Sequence, residues 1–364
     1  MNTLRINTSL AEPGMVVAED IYSFSDQLVI GAGAVLTDRM ITRLKFYSIS
    51  DLLITEADAA VPESTETITG NPLYIEQVKK SPDFYNFSKT FASSLSSCKK
   101  QLDVVLEHPE QLPDTETLIQ DVTSLFESCH NPSELFDMLM CIRDLDDVTY
   151  VHSLNVALIC NLFGIWLKLP KEECRNLVLA GLLHDIGKKL VPKILLNKPE
   201  KLTDEEFTTV RAHSIYGYNI LKDLPLDPKI KLAALMHHER CDGTGYPMGL
   251  MGDKIDSFAK IVAIADVYDA MTAARVYRGP VCPLEVIGIF EAEGFQKYDP
   301  EYLLTFLENV AHTYLHHTVL LSTGEKAEIV LTNRGALSKP LVRTENNQFI
   351  DLSKQLDIAI LGIL

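Results

Sequence analysis

The chain has 364 residues, 46% hydrophobic and 23% charged, which fits a folded protein of two or three domains with a large core and argues against extensive disorder. Its 33 Lys and Arg stand against 50 Asp and Glu, a formal charge of -17. Such a surface repels long nucleic acids, whose binding relies on cationic side chains displacing counterions, but leaves room for a small anion held by a few gathered cations.

Residues 1–60 read as a small β-rich unit. Met15-Val-Val-Ala and Leu28-Val-Ile are strand-like, and Gly14, Gly31 and Gly33 punctuate them. Asp38 is placed to cap a helix through Met40, Ile41, Leu44 and Tyr47, and Leu52-Leu-Ile-Thr closes the unit as a strand. Residues 61–145 read as a linker and connecting helices. The acidic and Ser/Thr-rich stretch from Glu56 to Pro72 is the linker, and Ile119, Val122, Leu125 and Phe126 mark one buried helix face beyond it. Residues 146–317 read as a succession of helices with long apolar faces, broken at Pro170, Pro225 and Pro283. From 318 to 364 the chain turns β-rich again. Val319-Leu-Leu, Ala327-Glu-Ile-Val-Leu, Pro340-Leu-Val-Arg and Ile358-Ala-Ile-Leu alternate with turns at Ser322-Thr-Gly, Asn333-Arg-Gly and Asn346-Asn. The fold class is therefore α+β and multidomain, with an all-α centre between two small β units.

Seven Cys without a CxxC pair are expected as reduced, largely buried thiols. The N-terminus Met1-Asn2-Thr3-Leu4-Arg5 has no apolar leader run. The longest apolar run, Val156 to Leu169, contains Asn161 and Lys168 and falls short of the roughly 20 residues of a membrane span, so it reads as a buried helix. These features predict a cytoplasmic protein without a membrane partner.

Chemistry concentrates in the helical unit. His152, His184 with Asp185, His213, the pair His237-His238, and Asp266 form an ordered set. Imidazole with carboxylate suits Fe, Mn or Zn. Seven donors exceed the four of one tetrahedral ion, and two octahedral-type ions sharing one carboxylate would use them all. His184-Asp185 follows Leu177-Val-Leu-Ala-Gly-Leu-Leu, a run expected to be buried, where an ionised Asp needs a partner such as a metal. Lys188 falls on the same face if the helix continues, and an anion such as a phosphate oxygen would satisfy both it and the metal. In His237-His-Glu-Arg-Cys-Asp-Gly-Thr-Gly-Tyr-Pro247 a His pair runs into a Gly-rich loop. Gly243 and Gly245 permit unusual backbone, Pro247 stiffens the exit, and Tyr246 offers a ring for base stacking. Arg275, Tyr277 and Arg278 follow, and the two Arg suit bidentate contacts to phosphate or guanine.

Taken together these segments resemble the HD-GYP phosphodiesterases, a bacterial branch of the HD metallohydrolase superfamily. The resemblance spans Asp146 to Pro300. It rests on Thr149-Tyr-Val-His152, His184-Asp-Ile-Gly-Lys188, His213 with Gly217, His237-His-Glu-Arg with Asp242-Gly-Thr-Gly-Tyr-Pro, Asp266-Val-Tyr-Asp-Ala-Met-Thr, Arg275-Val-Tyr-Arg and Tyr298-Asp-Pro. It implies an HD-type helical catalytic domain with iron or manganese, and hydrolysis of cyclic di-GMP or 3′,3′-cyclic GMP-AMP to a linear dinucleotide or onward to mononucleotides. Carried over by position, the metal ligands are His152, His184, Asp185, His213, His237, His238 and Asp266, with Asp185 as the bridge. Asp185 and Lys188 form the catalytic pair, and Lys188, Asp242, Gly245, Tyr246, Arg275 and Arg278 meet the substrate. Val148 stands where some relatives carry a carboxylate for a third ion, so two divalent ions are expected. Cys241 and Met248 depart from the usual aromatic and basic residues, which leaves the dinucleotide open. The N-terminal unit resembles a small β-rich domain found ahead of such modules. A catalytically weak cyclic-dinucleotide sensor, or an HD phosphohydrolase acting on nucleoside phosphates, are the competing readings. A homodimer or a signalling-protein partner is left open.

Overall fold

The computed structural model describes residues 3–8, 11–22, 28–37, 40–41, 43–44, 49, 51–55, 72–108, 110–142, 148–196, 198, 202–272, 281–355 and 357–364. Within these, a helical body lies in the chain between two groups of short antiparallel strands, as the composition pattern predicts. The expected linker before Pro72 lies outside the described residues.

At the N-terminal end β1 (Thr3–Asn7) pairs with β4 (Asp51–Thr55), with Leu4 opposite Ile54, and β2 (Ile21–Tyr22) pairs with β3 (Leu28–Ile30). The Met15 run contributes only single bridges, Val16 to Val35 and Val17 to Ile54, rather than a strand. Asp38 and Tyr47 lie outside the described residues, and it is the Thr37 hydroxyl that accepts from Met40 N, at 3.2 Å.

The helical body comprises α1 (Pro72–Lys79), α2 (Pro82–Glu107), α3 (Thr115–Glu127), α4 (Pro132–Cys141), α5 (Val148–Trp166), α6 (Lys171–Leu183), α7 (Asp204–Arg211), α8 (His213–Leu221), α9 (Pro228–Met236), α10 (Ser257–Thr272), α11 (Pro283–Lys297) and α12 (Pro300–Thr313). A single helical turn at Lys193–Leu196 precedes α7. Pro228, not Pro225, opens α9, because a missing N–H costs nothing in the first turn of a helix. Asp227, Asp299, Ser81 and Asn131 cap their helices by accepting from backbone N–H groups inside the first turn.

Helix α5 sits at the centre. Its stretch Thr149–Trp166 is long and apolar enough to cross a membrane, yet 72% of it is buried inside the protein. It packs so tightly on α6 that a β-carbon on Gly181 would lie 2.9 Å from Ala157 Cα. Phe163 stacks on Phe306 at 5.0 Å and ties α12 to the same core.

The last strands form one antiparallel sheet in the order β8-β7-β6-β5-β9: β5 (Thr318–Leu321), β6 (Lys326–Leu331), β7 (Leu341–Thr344), β8 (Phe349–Asp351) and β9 (Ile360–Ile363). Val319, Leu321, Ala327, Ile329 and Val342 line its buried face at the two-residue period of a half-covered sheet. Helix α11 meets both β groups. Glu291 accepts from Leu337 N and from the Ser338 hydroxyl, each at 2.5 Å, and Glu293 pairs with Arg43 Nε at 2.6 Å.

Candidate metal centre

The His184-Asp185 step is made where α6 ends. Leu177 to Leu183 are all buried, so the helix delivers the next two side chains into the interior. The α-helix does not continue to Lys188 as expected. Residues Ile186–Leu190 wind as a 3-10 helix, in which side chains three apart eclipse. The consequence is the same juxtaposition by another route, with Lys188 Nζ donating to Asp185 Oδ2 at 2.5 Å. Gly187 is needed here, since a β-carbon would run into the backbone carbonyl of His213 and the backbone N of Gly217 on α8.

Four further segments bring their donors to this point. His152 comes from α5, His213 from the start of α8, His237 and His238 from the end of α9, and Asp266 from α10. His184, Asp185, His213 and His237 are at most 1% exposed, and Asp266 is 8% exposed. The seven donors divide into two clusters, Asp185 with His213, His237 and His238, and His152 with His184 and Asp266. Asp185 faces both. Its Oδ1 lies 3.4 Å from His213 Nε2 and 3.6 Å from His237 Nε2. Its Oδ2 lies 3.3 Å from His184 Nε2 and 3.7 Å from His152 Nε2.

The ring orientations fit a cation. His184, His213 and His237 each give Nδ1–H to a backbone carbonyl, of Gly181, Val210 and Ala233 respectively, at 2.7, 2.7 and 3.0 Å. In the neutral form, such a ring carries its lone pair on Nε2. His213 Nε2 and His237 Nε2 then face each other at 3.4 Å with no proton to share. His184 Nε2 and Asp185 Oδ1 are buried without a hydrogen-bond partner among the described residues. Facing lone pairs and orphaned buried acceptors are costly unless a positive charge lies among them. The clusters could thus hold divalent metal.

The electrostatics agree. Burial drives His213 down to about 3 and lowers His237. Burial, with His237 and His213 beside it, holds His238 well below the ordinary imidazole value. These rings are neutral donors. For Asp185 burial pulls upward, but Lys188 and His184 outweigh it and keep the carboxylate ionised. Burial acts to depress His152, yet Asp266 and Asp269 overcome it and raise the ring to about 10. Its Nε2 lies 3.0 Å from Asp266 Oδ1, where a metal ion would supply the positive charge in place of a proton.

Beside the centre the chain turns into the loop before Pro247. Glu239, 2% exposed, clamps the loop by accepting from Met248 N at 2.7 Å and Leu250 N at 2.8 Å. Asp242 accepts from Thr244 N at 3.0 Å and from its hydroxyl at 2.6 Å, so it shapes the turn. Gly243 takes φ +79°, closed to most residues. Gly245 is required for a different reason, because a β-carbon would overlap the backbone of Glu239 and Arg240. The Tyr246-Pro247 bond is cis. The Tyr246 ring stacks on His238 at 4.6 Å and 26°, and the Arg211 guanidinium lies 4.7 Å from its centroid. Cys241 N donates to Lys297 O at 2.7 Å, and the Arg240 guanidinium lies 5.0 Å from the Tyr298 ring, which ties this loop to the end of α11. Arg275, Tyr277 and Arg278 lie outside the described residues.

Four residues of this site are given no role in the sequence reading. Asp269 Oδ2 meets His152 Nδ1 at 2.8 Å, and Asn155 Nδ2 donates to Asp269 Oδ1 at 3.1 Å. Glu239 and Arg211 are the others. Asp269 carries a readable signal, since it lies one turn beyond Asp266 on the same helix face.

The family model described as HD domain matches residues 139–302. Cyclic di-GMP phosphodiesterase PA4108 of Pseudomonas aeruginosa is 36% identical over 214 residues, 58% of this chain and 51% of that protein. The 3′3′-cGAMP-specific phosphodiesterase 1 of Vibrio cholerae is 38% identical over 175 residues, 47% of this chain and 41% of that protein. A cyclic di-GMP phosphodiesterase of Thermotoga maritima is 35% identical over 178 residues, 48% of each chain. The chain spans about half the length of these curated relatives. Among solved structures, Bd1817, an HDG"Y"P protein from Bdellovibrio bacteriovorus, shares the fold with TM-score 0.50 and 18% identity, over 85% of this chain and 99% of that one. The segment 139–302 thus matches the HD domain family model, and over part of its length the chain is similar to proteins named cyclic dinucleotide phosphodiesterases.

Proposed function

We propose that this protein is a divalent-metal-dependent phosphodiesterase that opens a cyclic dinucleotide, cyclic di-GMP or 3′,3′-cyclic GMP-AMP, to the linear dinucleotide. One observation carries the reading: the buried Asp185 turns Oδ1 toward His213 and His237 and Oδ2 toward His184 and His152, with Lys188 donating to Oδ2. The printed activities of the relatives supply the substrate class.

The ligands would be His152, His184 and Asp266 for one ion and His213, His237 and His238 for the other, with Asp185 shared. Iron or manganese suits this mixture of imidazole and carboxylate. Two such ions, when bound, lower the pKa of a shared water and place positive charge opposite the phosphoryl oxygens.

The remaining chemistry falls to the chain. Asp185 holds the two donor sets in register through its two oxygens. Burial and the pull of Asp185 and Asp266 on Lys188 leave the Lys188 ammonium protonated, with burial opposing and the carboxylates prevailing. That ammonium is positioned to take a phosphate oxygen and to neutralise charge as the 3′-oxygen leaves. The loop held by Glu239 fixes Tyr246 against His238 at the edge of the centre. Arg275 and Arg278 are assigned to the phosphate or guanine of the substrate by their side-chain chemistry. A cytoplasmic location belongs to the same proposal.

The test uses purified chain supplied with Mn(II) or, under anaerobic conditions, Fe(II). Cyclic di-GMP, cyclic di-AMP and 3′,3′-cyclic GMP-AMP are offered in parallel and the products separated by chromatography. A linear dinucleotide from either guanine-containing substrate is expected. A protein with full metal content that opens none of the three would overturn the assignment.

A further inference from the structure

The two halves of the centre are built from different materials. The His213, His237 and His238 half has three imidazoles and only Oδ1 of Asp185. The His152, His184 and Asp266 half has two imidazoles, Oδ1 of Asp266, whose Oδ2 lies 4.0 Å from His238 Nδ1, and Oδ2 of Asp185.

A second difference lies behind the ligands. His184, His213 and His237 lean on neutral carbonyls. Among the described ligand rings, His152 alone has a carboxylate within hydrogen-bond distance of its rear nitrogen, Asp269 Oδ2 at 2.8 Å, itself 3% exposed and fixed by Asn155, whereas the carboxylate nearest His238 Nδ1 is 4.0 Å away. A carboxylate behind a ligating imidazole fixes the tautomer and makes the front nitrogen a stronger donor. Lys188 offsets part of the negative charge at Asp185 Oδ2, but Asp266 and Asp269 together outnumber it.

Resting on the reading that these clusters hold divalent metal, we propose that Asp269 makes the His152–His184–Asp266 half the tighter of two unequal metal sites. That site fills first. The three-histidine half is the weaker and exchangeable site, so the metal level decides whether the centre is half or fully loaded. Asp269 is a positioning residue acting through His152.

The test is a binding measurement on the full chain. Protein stripped with chelator is titrated with Mn(II), and bound metal is followed by the loss of the free Mn(II) resonance and by metal analysis after dialysis. Wild type is expected to bind in two phases separated at least about tenfold. Asp269→Asn keeps an acceptor for His152 Nδ1 but loses the charge. It should weaken the tight phase by about 10–100-fold and leave the weak phase in place. His238→Ala should remove the weak phase alone. Should Asp269→Asn fail to fold, Asn155→Ala provides the second variant, which loosens Asp269 with its charge intact and should weaken the tight phase to a smaller extent. A single affinity for both ions in wild type, or an Asp269→Asn titration that overlays wild type, overturns the inference and leaves the dinucleotide assignment standing. Failure to bind any Mn(II) or Fe(II) overturns both. Cyclic dinucleotide turnover plays no part in the readout.

Discussion

Gly187 approaches the first turn of α8 so closely that a β-carbon on it would occupy the space of the His213 carbonyl oxygen. The step after Asp185 and the helix that carries a ligand from the other side of the centre are therefore packed backbone to backbone. Gly187→Ala must push the start of α8 outward and carry His213 away from Asp185. A loss of stability on the order of 1–3 kcal/mol is expected, as for overpacked interiors. Bound metal should also fall, read by thermal melting and metal analysis. An alanine variant that melts and loads like wild type contradicts this packing.

Glu239 governs the loop rather than the centre. Its carboxylate takes the backbone N–H groups of Met248 and Leu250, just beyond Pro247. Glu239→Ala leaves both donors unpaired and should loosen the loop at a cost of about 1–3 kcal/mol for each. The dinucleotide KM is expected to rise about tenfold, the equivalent of about 1.4 kcal/mol, with metal content unchanged. Loss of metal with unchanged KM would place Glu239 in a different role.

Stability should depend on pH through a group remote from the centre. Asp137 on α4 is 7% exposed and accepts from Tyr74 OH at 2.6 Å. Burial pushes its carboxyl up to about 7, and Glu134 adds to the rise while Tyr74 opposes it. Because the folded value lies above the unfolded one, near 4, the folded state binds the extra proton between them. Stability is thus lost as pH rises from about 4 to about 7 and stays lost above that. Asp137→Asn cannot ionise, so it should exceed wild type by roughly 2–4 kcal/mol at pH 8 and by less at pH 5. Urea unfolding at the two pH values checks this, and a gap that widens on acidification would contradict it.

The sequence was most legible where residue type and order constrain each other. His152, His184, Asp185, His213, His237, His238 and Asp266 are scattered over five segments, yet they stand out because buried His and Asp need partners. The strands β5, β6 and β7 showed as short apolar runs between turn residues, whereas β8, only Phe349–Asp351, is too short to stand out. Lys188 was placed beside Asp185 through an expected α-helix that the backbone replaces with a 3-10 turn; spacing alone does not distinguish the two. Asp269 was quoted within its motif but given no role; its place one turn beyond Asp266 was readable, whereas its pairing with His152 Nδ1 comes from the tertiary fold. The same holds for Tyr246. Its ring reads as a free stacking surface in sequence, while in the fold His238 and Arg211 already engage it.

The most direct test of the account replaces Asp185, whose two oxygens face the two donor sets. Asp185→Ala and wild type would be prepared with Mn(II) or Fe(II), and bound metal and cyclic dinucleotide hydrolysis measured on the same samples. The account expects the variant to remain folded by circular dichroism, to hold less than one ion per chain and to show no turnover. A variant that keeps two ions and full hydrolysis would contradict the claim that Asp185 joins two metal sites into one catalytic centre.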